Sequence, residues 1–428
     1  MKKETKAFLQ FLDNSHSSYH AVEALMNQLE EAGYTRLLES EPWTLAPKGK
    51  YYLTRGGSAL VAFRVPEKVS GGFMISAGHS DRPTFKVKEN PELVGKYTRL
   101  ATEKYGGMLI STWLDRPLSV AGRVTVQTKE GIETCLLDVD GDLLLIPNVA
   151  IHMNRKANEG YAWNPAVDTL PLAGSEKAAG QVWECLEQAA GGKILGHDLY
   201  LYVRQKATAW GVEEEYVSAQ ALDDLQCVWG CAQGFLQAEP AGSVPVLCVF
   251  DSEEVGSGSL QGAGSTLLAD TLARICEGLK LPLRQVLRRS FMVSADNAHA
   301  LHPNHPEFAD PNNAPLPGEG VVLKFNANQR YTTDGVSAAL FRQICEMARV
   351  PVQTYCNRAD LPGGSTLGNI SLAQVPVLSV DIGLAQLAMH SAYETASLRD
   401  TDYLIKAMTA FYSSSLTGDS EIGLKLAK

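Results

Sequence analysis

The chain has 428 residues, 45% hydrophobic and 20% charged, with a formal net charge of −10. That length exceeds what one hydrophobic core usually supports, so two domains are expected. The acidic balance argues against nonspecific nucleic-acid binding, no apolar run is long enough to span a bilayer, and eight scattered cysteines without a Cys-x-x-Cys fit a reduced cytoplasm.

The N-terminal stretch is charged throughout and lacks the apolar core and cleavage site of a signal peptide. Ala7, Phe8, Phe11 and Leu12 fit one amphipathic helix. Ser18 is placed to cap a second, with Ala21, Val22, Leu25, Met26 and Leu29 at helical spacing. From 59 to 81, strands alternate with turns. From roughly 84 to 206 helical patterns become scarce, and short strand-like stretches (119–128, 133–138, 142–146, 198–204) are punctuated by Gly and Pro. From 217 onward, helices near 218–238, 262–280, 333–349 and 398–415 alternate with apolar strands near 244–250, 290–295, 320–326 and 375–382. That is α/β texture. Cys227 and Cys231, one helical turn apart, read as core thiols.

The apolar run 244–250 ends in Asp251-Ser252-Glu253-Glu254. Adjacent carboxylates repel unless a cation or a shared proton compensates, so the pair suggests a metal site in which one glutamate binds metal and the other handles protons. Other elements end in the same way. The run 72–77 leads into Gly78-His79-Ser80-Asp81, and 290–295 into Asp296-Asn297-Ala298-His299. The run 375–382 is followed at a short distance by His390, and Asp223-Asp224 stands near the start of the 218–236 helical segment. In open α/β sheets, ligands bind at the carboxyl ends of strands. His79, Asp223, Glu254, Asp296 and His390 therefore form a candidate set, and two imidazoles with three carboxylates suit a pair of first-row divalent ions. Ligands fall on both sides of the strand-rich middle, which reads as an insertion: 1–83 and 211–428 form a catalytic domain, and 84–210 is inserted into it.

The stretches SAGHSDRP (76–83), YGGMLISTWLDRPLSVAGRV (105–124), IPNVAIHMNR (146–155), ALDDLQC (221–227), FDSEEVGS (250–257), SADNAHALHPN (294–304), LKFNANQRYTTD (323–334), LPGGSTLG (361–368) and QLAMHS (386–391) resemble the aspartyl aminopeptidase family of di-zinc metallopeptidases nearly end to end. The resemblance implies a mixed-sheet catalytic domain with an inserted dimerisation domain, and dimers that build a tetrahedral dodecamer. It implies that His79 and Asp296 bind one ion, that Glu254 and His390 bind the other, and that Asp223 bridges. Glu253 is then the general base, and Asp81 accepts the second N–H of His79. The ions are expected to be zinc, with cobalt or manganese also tolerated by these ligands. Where the family has Leu-Asp-Asn-Leu, this chain has Leu-Asp-Asp-Leu at 222–225, and the extra charge of Asp224 is expected to point away from the metals.

The resemblance further implies that His152 reaches the active site from a partner subunit and that Lys324 lies in the substrate pocket. An ammonium there pairs with the side chain of an N-terminal Asp or Glu, giving an aminopeptidase with acidic preference acting on peptides. Arg330 and Arg358 are further cationic candidates. Gly364, in Gly363-Gly364-Ser365-Thr366, is read as part of a helix N-terminus that meets a substrate anion. His299, His302 and His305 are read as support for their loop. The competing readings are an aminopeptidase or deacylase for neutral substrates and a self-assembling shell without catalysis.

Overall fold

The computed structural model describes residues 2–427. A nine-stranded mixed sheet forms its centre. The strand order is Thr35–Arg36, Lys50–Arg55, Ala59–Arg64, Val244–Phe250, Phe73–His79, Phe291–Ala295, Leu378–Gly383, Val321–Phe325 and Val352–Cys356. The four strands from Val244–Phe250 to Leu378–Gly383 are adjacent and parallel. Three of them are buried along their whole length, and Leu378–Gly383 along all but its first residue. Strands covered on both faces require this apolar composition.

Helices cover both faces. Ser18–Glu31, Leu222–Gln237, Gly335–Ala348 and Leu398–Tyr412 close one core, where Phe235, Phe341, Phe411 and Tyr412 are fully buried. Leu267–Leu279, Leu283–Arg288 and Leu367–Gln374 close the other. The second helix is capped by Ser17, whose side chain accepts the His20 N–H; Ser18, the expected cap, is the first helical residue.

A second sheet of six strands draws only on residues 84–203, in the order Ile132–Asp138, Leu118–Gln127, Ile194–Val203, Thr84–Val94, Tyr97–Tyr105 and Leu172–Ser175. It has its own core, shared with the helix Gln181–Ala190. The stretch 142–146 makes only isolated bridges. Thr208–Trp210 lies outside this sheet and pairs with Tyr216–Ala219 in a third, five-stranded sheet, which also contains Glu394–Ser397, Ala385–Leu387 and Ala298–His299. The architecture is mixed α/β.

A polar seam joins the N-terminal helices to both main sheets. The buried Arg82 guanidinium donates to the carbonyls of Ser15 (2.7 Å) and His16, just past the helix Lys3–Asn14; a cation there also opposes the helix dipole. The His16 ring stacks on Tyr202, with centroids 3.9 Å apart, and its Nδ1 lies 2.5 Å from Asp138 Oδ2. The Tyr202 hydroxyl donates to the other Asp138 oxygen at 2.7 Å.

Candidate metal centre

Because the four central strands are parallel, their carboxyl ends share one edge of the sheet, and each delivers candidate ligands there. His79 is the last residue of its strand and pairs with Phe250; Glu253 and Glu254 follow Phe250 in a short turn. Asp296 follows Ala295, and His390 lies beyond Leu378–Gly383 and Ala385–Leu387. Asp223 enters from the start of the helix Leu222–Gln237. Three of these segments carry non-glycine residues in the left-handed region: Ala221 (φ 57°), Ser252 (φ 64°) and His390 itself (φ 66°). Such conformations cost about 1–3 kcal/mol each and persist where packing over-determines them.

Asp223 lies at the centre of the cluster. Its Oδ1 lies 3.4 Å from His79 Nε2, and its Oδ2 lies 3.4 Å from His390 Nε2. His390 Nε2 is also 3.4 Å from Glu254 Oε2. His79, Asp223 and Glu254 offer ligand atoms within 4.8 Å of one another, as do Asp223, Asp224 and Asp296, and Asp223 is common to both groups. Asp223 Oδ1, Asp224 Oδ1 and Glu254 Oε1 are buried without a hydrogen-bond partner. Orphaned buried carboxylate oxygens are costly, and imidazoles with carboxylates are the donors that first-row divalent cations take. The residues present therefore fit a metal centre.

The electrostatics say the same. Burial, reinforced by Asp223, raises Glu254 well above the usual carboxylate range. Burial raises Asp296 to about 6 against the opposing pull of Lys324. Burial raises Glu253 to about 8, with Asp296, Asp223 and Asp81 adding to it and His79 opposing it. Burial alone would lower both imidazoles, yet Asp223 and its neighbours raise His390 to about 10 and His79 well above its ordinary value. The two imidazoles hold Asp223 ionised against its burial; three further carboxylates that resist ionisation beside imidazoles that resist neutralisation describe a site that demands positive charge.

A ring of backbone contacts orients these side chains. Asp81 Oδ1 and Oδ2 accept the N–H groups of Glu253 (3.0 Å) and Glu254 (3.2 Å). The Tyr105 hydroxyl donates to Asp81 Oδ2 at 2.7 Å. His79 Nδ1 faces Asp81, with the backbone carbonyl at 3.2 Å and the carboxylate at 3.4 Å. His390 Nδ1 lies 2.6 Å from the Gly107 carbonyl, which leaves Nε2 for a metal. Glu394 Oε2 accepts the Asp223 N–H at 3.0 Å, and its Oε1 accepts the His390 N–H at 2.7 Å. Two glycines permit close approaches: a Cβ on Gly78 would stand 2.7 Å from Asp224 Oδ2, and one on Gly106 (φ +74°) would stand 3.1 Å from Glu254 Cβ.

Asp224 corrects the sequence reading. Its carboxylate does not point away from the cluster: Oδ2 accepts the His79 N–H at 3.2 Å, and a carboxylate oxygen lies among those of Asp223 and Asp296. The close-packed Gly78 leaves room for it there.

Lys324 is buried on Val321–Phe325. Its ammonium donates to the Asp296 carbonyl (2.8 Å) and the Asn297 carbonyl (3.2 Å), lies 3.6 Å from Asp296 Oδ2, and sits over the Tyr331 ring. His152 stands in an exposed turn of the six-stranded-sheet region, not in this chain's own cluster. Three further candidates are not brought to the cluster, and Arg330 is one of them, exposed at the end of the turn after Val321–Phe325. Arg358 is forked onto Asp360, with a further bond to the Glu307 carbonyl. Gly364 is exposed ahead of the helix Leu367–Gln374, which begins after Thr366 rather than at the glycines. His302 and His305 stack with each other, and His299 packs edge-on against Tyr355.

Glu394, Tyr105 and Gly107 went unread in the sequence. Only Glu394 carried a signal, a carboxylate four positions after His390.

No described helix is long and apolar enough to cross a membrane. The family model described as aminopeptidase I zinc metalloprotease (M18) matches residues 11–412. A probable M18 family aminopeptidase 2 of Clostridium acetobutylicum is 41% identical, over 96% of this chain and all of the relative's length. One of Ectopseudomonas mendocina is 39% identical, over 96% of this chain and 98% of the relative. Among solved structures, Ape4 in its complex with Nbr1 superposes with a TM-score of 0.92 at 33% identity, covering 96% of this chain and 85% of that one. The S. cerevisiae mApe1 dodecamer gives 0.85 at 25% identity, with 96% of each chain covered. The chain belongs to the M18 family of zinc metallo-aminopeptidases.

Proposed function

We propose that this aminopeptidase works with two divalent ions about Asp223, removes acidic N-terminal residues in preference to neutral ones, and assembles through residues 84–210. The observation that carries the two-ion reading is the placement of the two Asp223 oxygens, each 3.4 Å from a different imidazole. His79 and Asp296 would hold one ion and Glu254 and His390 the other. Bound there, such ions lower the pKa of a shared water and polarise a peptide carbonyl. The chain's own residues do the rest. Glu253, with its backbone fixed by Asp81, takes a proton from water and returns it to the leaving amine. Asp81 and Gly107 keep the imidazoles in the ligating tautomer. Lys324 has three N–H donors; two meet carbonyls, and the third, 3.6 Å from Asp296 Oδ2, would be shared with the side-chain carboxylate of a substrate. Arg358 and Gly364 have no part in this reading. His152 is supplied by a partner subunit, as assembly into a dodecamer of the mApe1 kind allows. Zinc is the first choice of metal, with cobalt and manganese compatible.

The test is removal of metal with a chelator, followed by restoration with zinc, cobalt or manganese singly, assayed on Asp-, Glu- and Leu-anilides. Activity is expected to vanish and return, with Asp and Glu preferred. Lys324→Met is expected to lower kcat/KM for Asp and Glu by roughly 10–150-fold relative to Leu, because a partly buried charge-assisted pair is worth about 1.5–3 kcal/mol. The Asp-to-Leu ratio is the readout, with metal content measured alongside, since Lys324 also braces Asp296. A wild-type preference for Leu makes the enzyme a neutral aminopeptidase. Full metal occupancy without turnover favours the shell.

A further inference from the structure

Glu394 is 2% exposed and stands at the start of the strand Glu394–Ser397, where it pairs with Ala219. Its place is therefore fixed by strand register, not by the loops that carry the ligands. From there its two oxygens diverge. Oε2 accepts the Asp223 N–H at 3.0 Å, and Oε1 accepts the His390 N–H at 2.7 Å. Both recipients lie on backbone that needs restraint. His390 has a φ of 66°, and Ala221, two residues before Asp223, has a φ of 57°. The two side chains restrained in this way face each other, with His390 Nε2 3.4 Å from Asp223 Oδ2.

We propose that Glu394 is the positioning residue of the metal centre: one carboxylate ties the backbones of Asp223 and His390 together and sets the spacing at which both side chains serve the ion they share. The inference rests on the two-ion reading above. Glu394 touches neither water nor substrate in this role; it acts only through the residues it holds. An ionised carboxylate has acceptor sites on both oxygens, whereas an amide has one oxygen acceptor and an NH₂ group that only donates. In Glu394→Gln, whichever way the amide turns, one of the two backbone N–H groups faces a donor.

The experiment is chelator-competition titration of zinc into metal-free wild-type protein and into Glu394→Gln, Glu394→Asp and Thr395→Val, with thermal unfolding of each metal-free protein in parallel. Thr395→Val, on the same strand as Glu394, removes a hydroxyl that contacts Ser218 on the paired strand Tyr216–Ala219 and serves as the control for a lost strand-borne hydrogen bond. Loss of an orienting partner commonly weakens metal affinity about 10–100-fold. That loss is expected for Glu394→Gln, with partial recovery in Glu394→Asp, which keeps two acceptors on a shorter stem. Thr395→Val is expected to bind as wild type does, and the metal-free proteins to unfold alike. Wild-type affinity in Glu394→Gln overturns the proposal. Equal weakening in all three variants, or a Glu394→Gln loss matched by the same fall in metal-free stability, makes Glu394 a fold residue and also overturns it. If Glu394→Gln is insoluble, Glu394→Asp carries the test: weaker zinc binding than wild type at unchanged metal-free stability supports the clamp, and wild-type affinity overturns it. Failure of wild-type protein to bind zinc overturns the two-ion reading itself and is seen separately from any variant.

Discussion

Glu253 has the least restrained side-chain chemistry in the site, and that suits a proton carrier. Its backbone N–H is held by Asp81, while burial and the surrounding carboxylates raise its carboxyl to about 8. Cations bound at Asp223 would offset those carboxylates and bring Glu253 into the range where a base is ionised at neutral pH. Glu253→Gln keeps the shape and removes the basic oxygen. It is expected to lower kcat by about 10²–10⁴-fold, with zinc content equal to wild type by metal analysis. Loss of zinc together with activity would mean that Glu253 is a ligand instead. At this scale the sequence was legible where chemistry and chain position coincide. His79, Asp296 and the Glu253–Glu254 pair each stand one to four residues past an apolar run, so strand ends alone brought them together. Asp224 was misread because side-chain direction depends on packing against Gly78, which no local pattern carries. The helix cap was misplaced by one residue because Ser17 and Ser18 are chemically equivalent and only the backbone turn selects between them.

Among the elements, the buried ones were the readable ones. Val244–Phe250, Phe291–Ala295 and Leu378–Gly383 lie within a few residues of the runs that announced them, since strands covered on both faces must be apolar throughout. The hairpin Thr84–Val94 with Tyr97–Tyr105 gave no such signal. Its exposed positions carry Lys, Glu and Asn, so the period of two is broken by a bulge between Val87 and Glu92. That unread hairpin leads into the segment from which Tyr105 reaches Asp81 and Gly107 reaches His390. The six-stranded sheet is also pinned to the N-terminal helices through Asp138. Burial alone would raise the Asp138 carboxyl, but His16 and Tyr202 outweigh it and hold the group at about 2. A depressed folded-state value contributes stability that is fully present above the unfolded value near 3.9 and is lost as pH falls toward 2; the contribution is about 2 kcal/mol. Asp138→Asn is expected to remove that contribution at neutral pH. Hydrogen exchange should quicken in 3–31 and 132–138, with zinc content unchanged. Exchange rates equal to wild type at pH 7 would show that the seam is held by Arg82 alone.

For the whole molecule, the question is what covers the turn that carries His152. Val149, Ile151 and Met153 are 50%, 48% and 78% exposed. Clustered exposed apolar side chains on a folded chain mark a surface that another protein covers. His152 lies among them, outside its own chain's metal cluster, which is the arrangement expected if each subunit of a symmetric pair completes the site of the other. The prediction follows from that symmetry. His152→Ala and Glu253→Gln chains are each expected to be inactive when expressed alone. Co-expressed, they form hybrids in which the His152→Ala subunit keeps Glu253 and receives His152 from its partner. Statistical pairing makes half of the dimers hybrid, and each hybrid has one intact site of two, so about a quarter of wild-type activity is expected of the unselected mixture and about half of dimers that carry both tags. Differently tagged subunits, purified through both tags and assayed at known metal content, make the measurement. Hybrids that stay inactive while fully assembled would place His152 in its own subunit's site or outside catalysis. The exposed apolar turn would then serve assembly only.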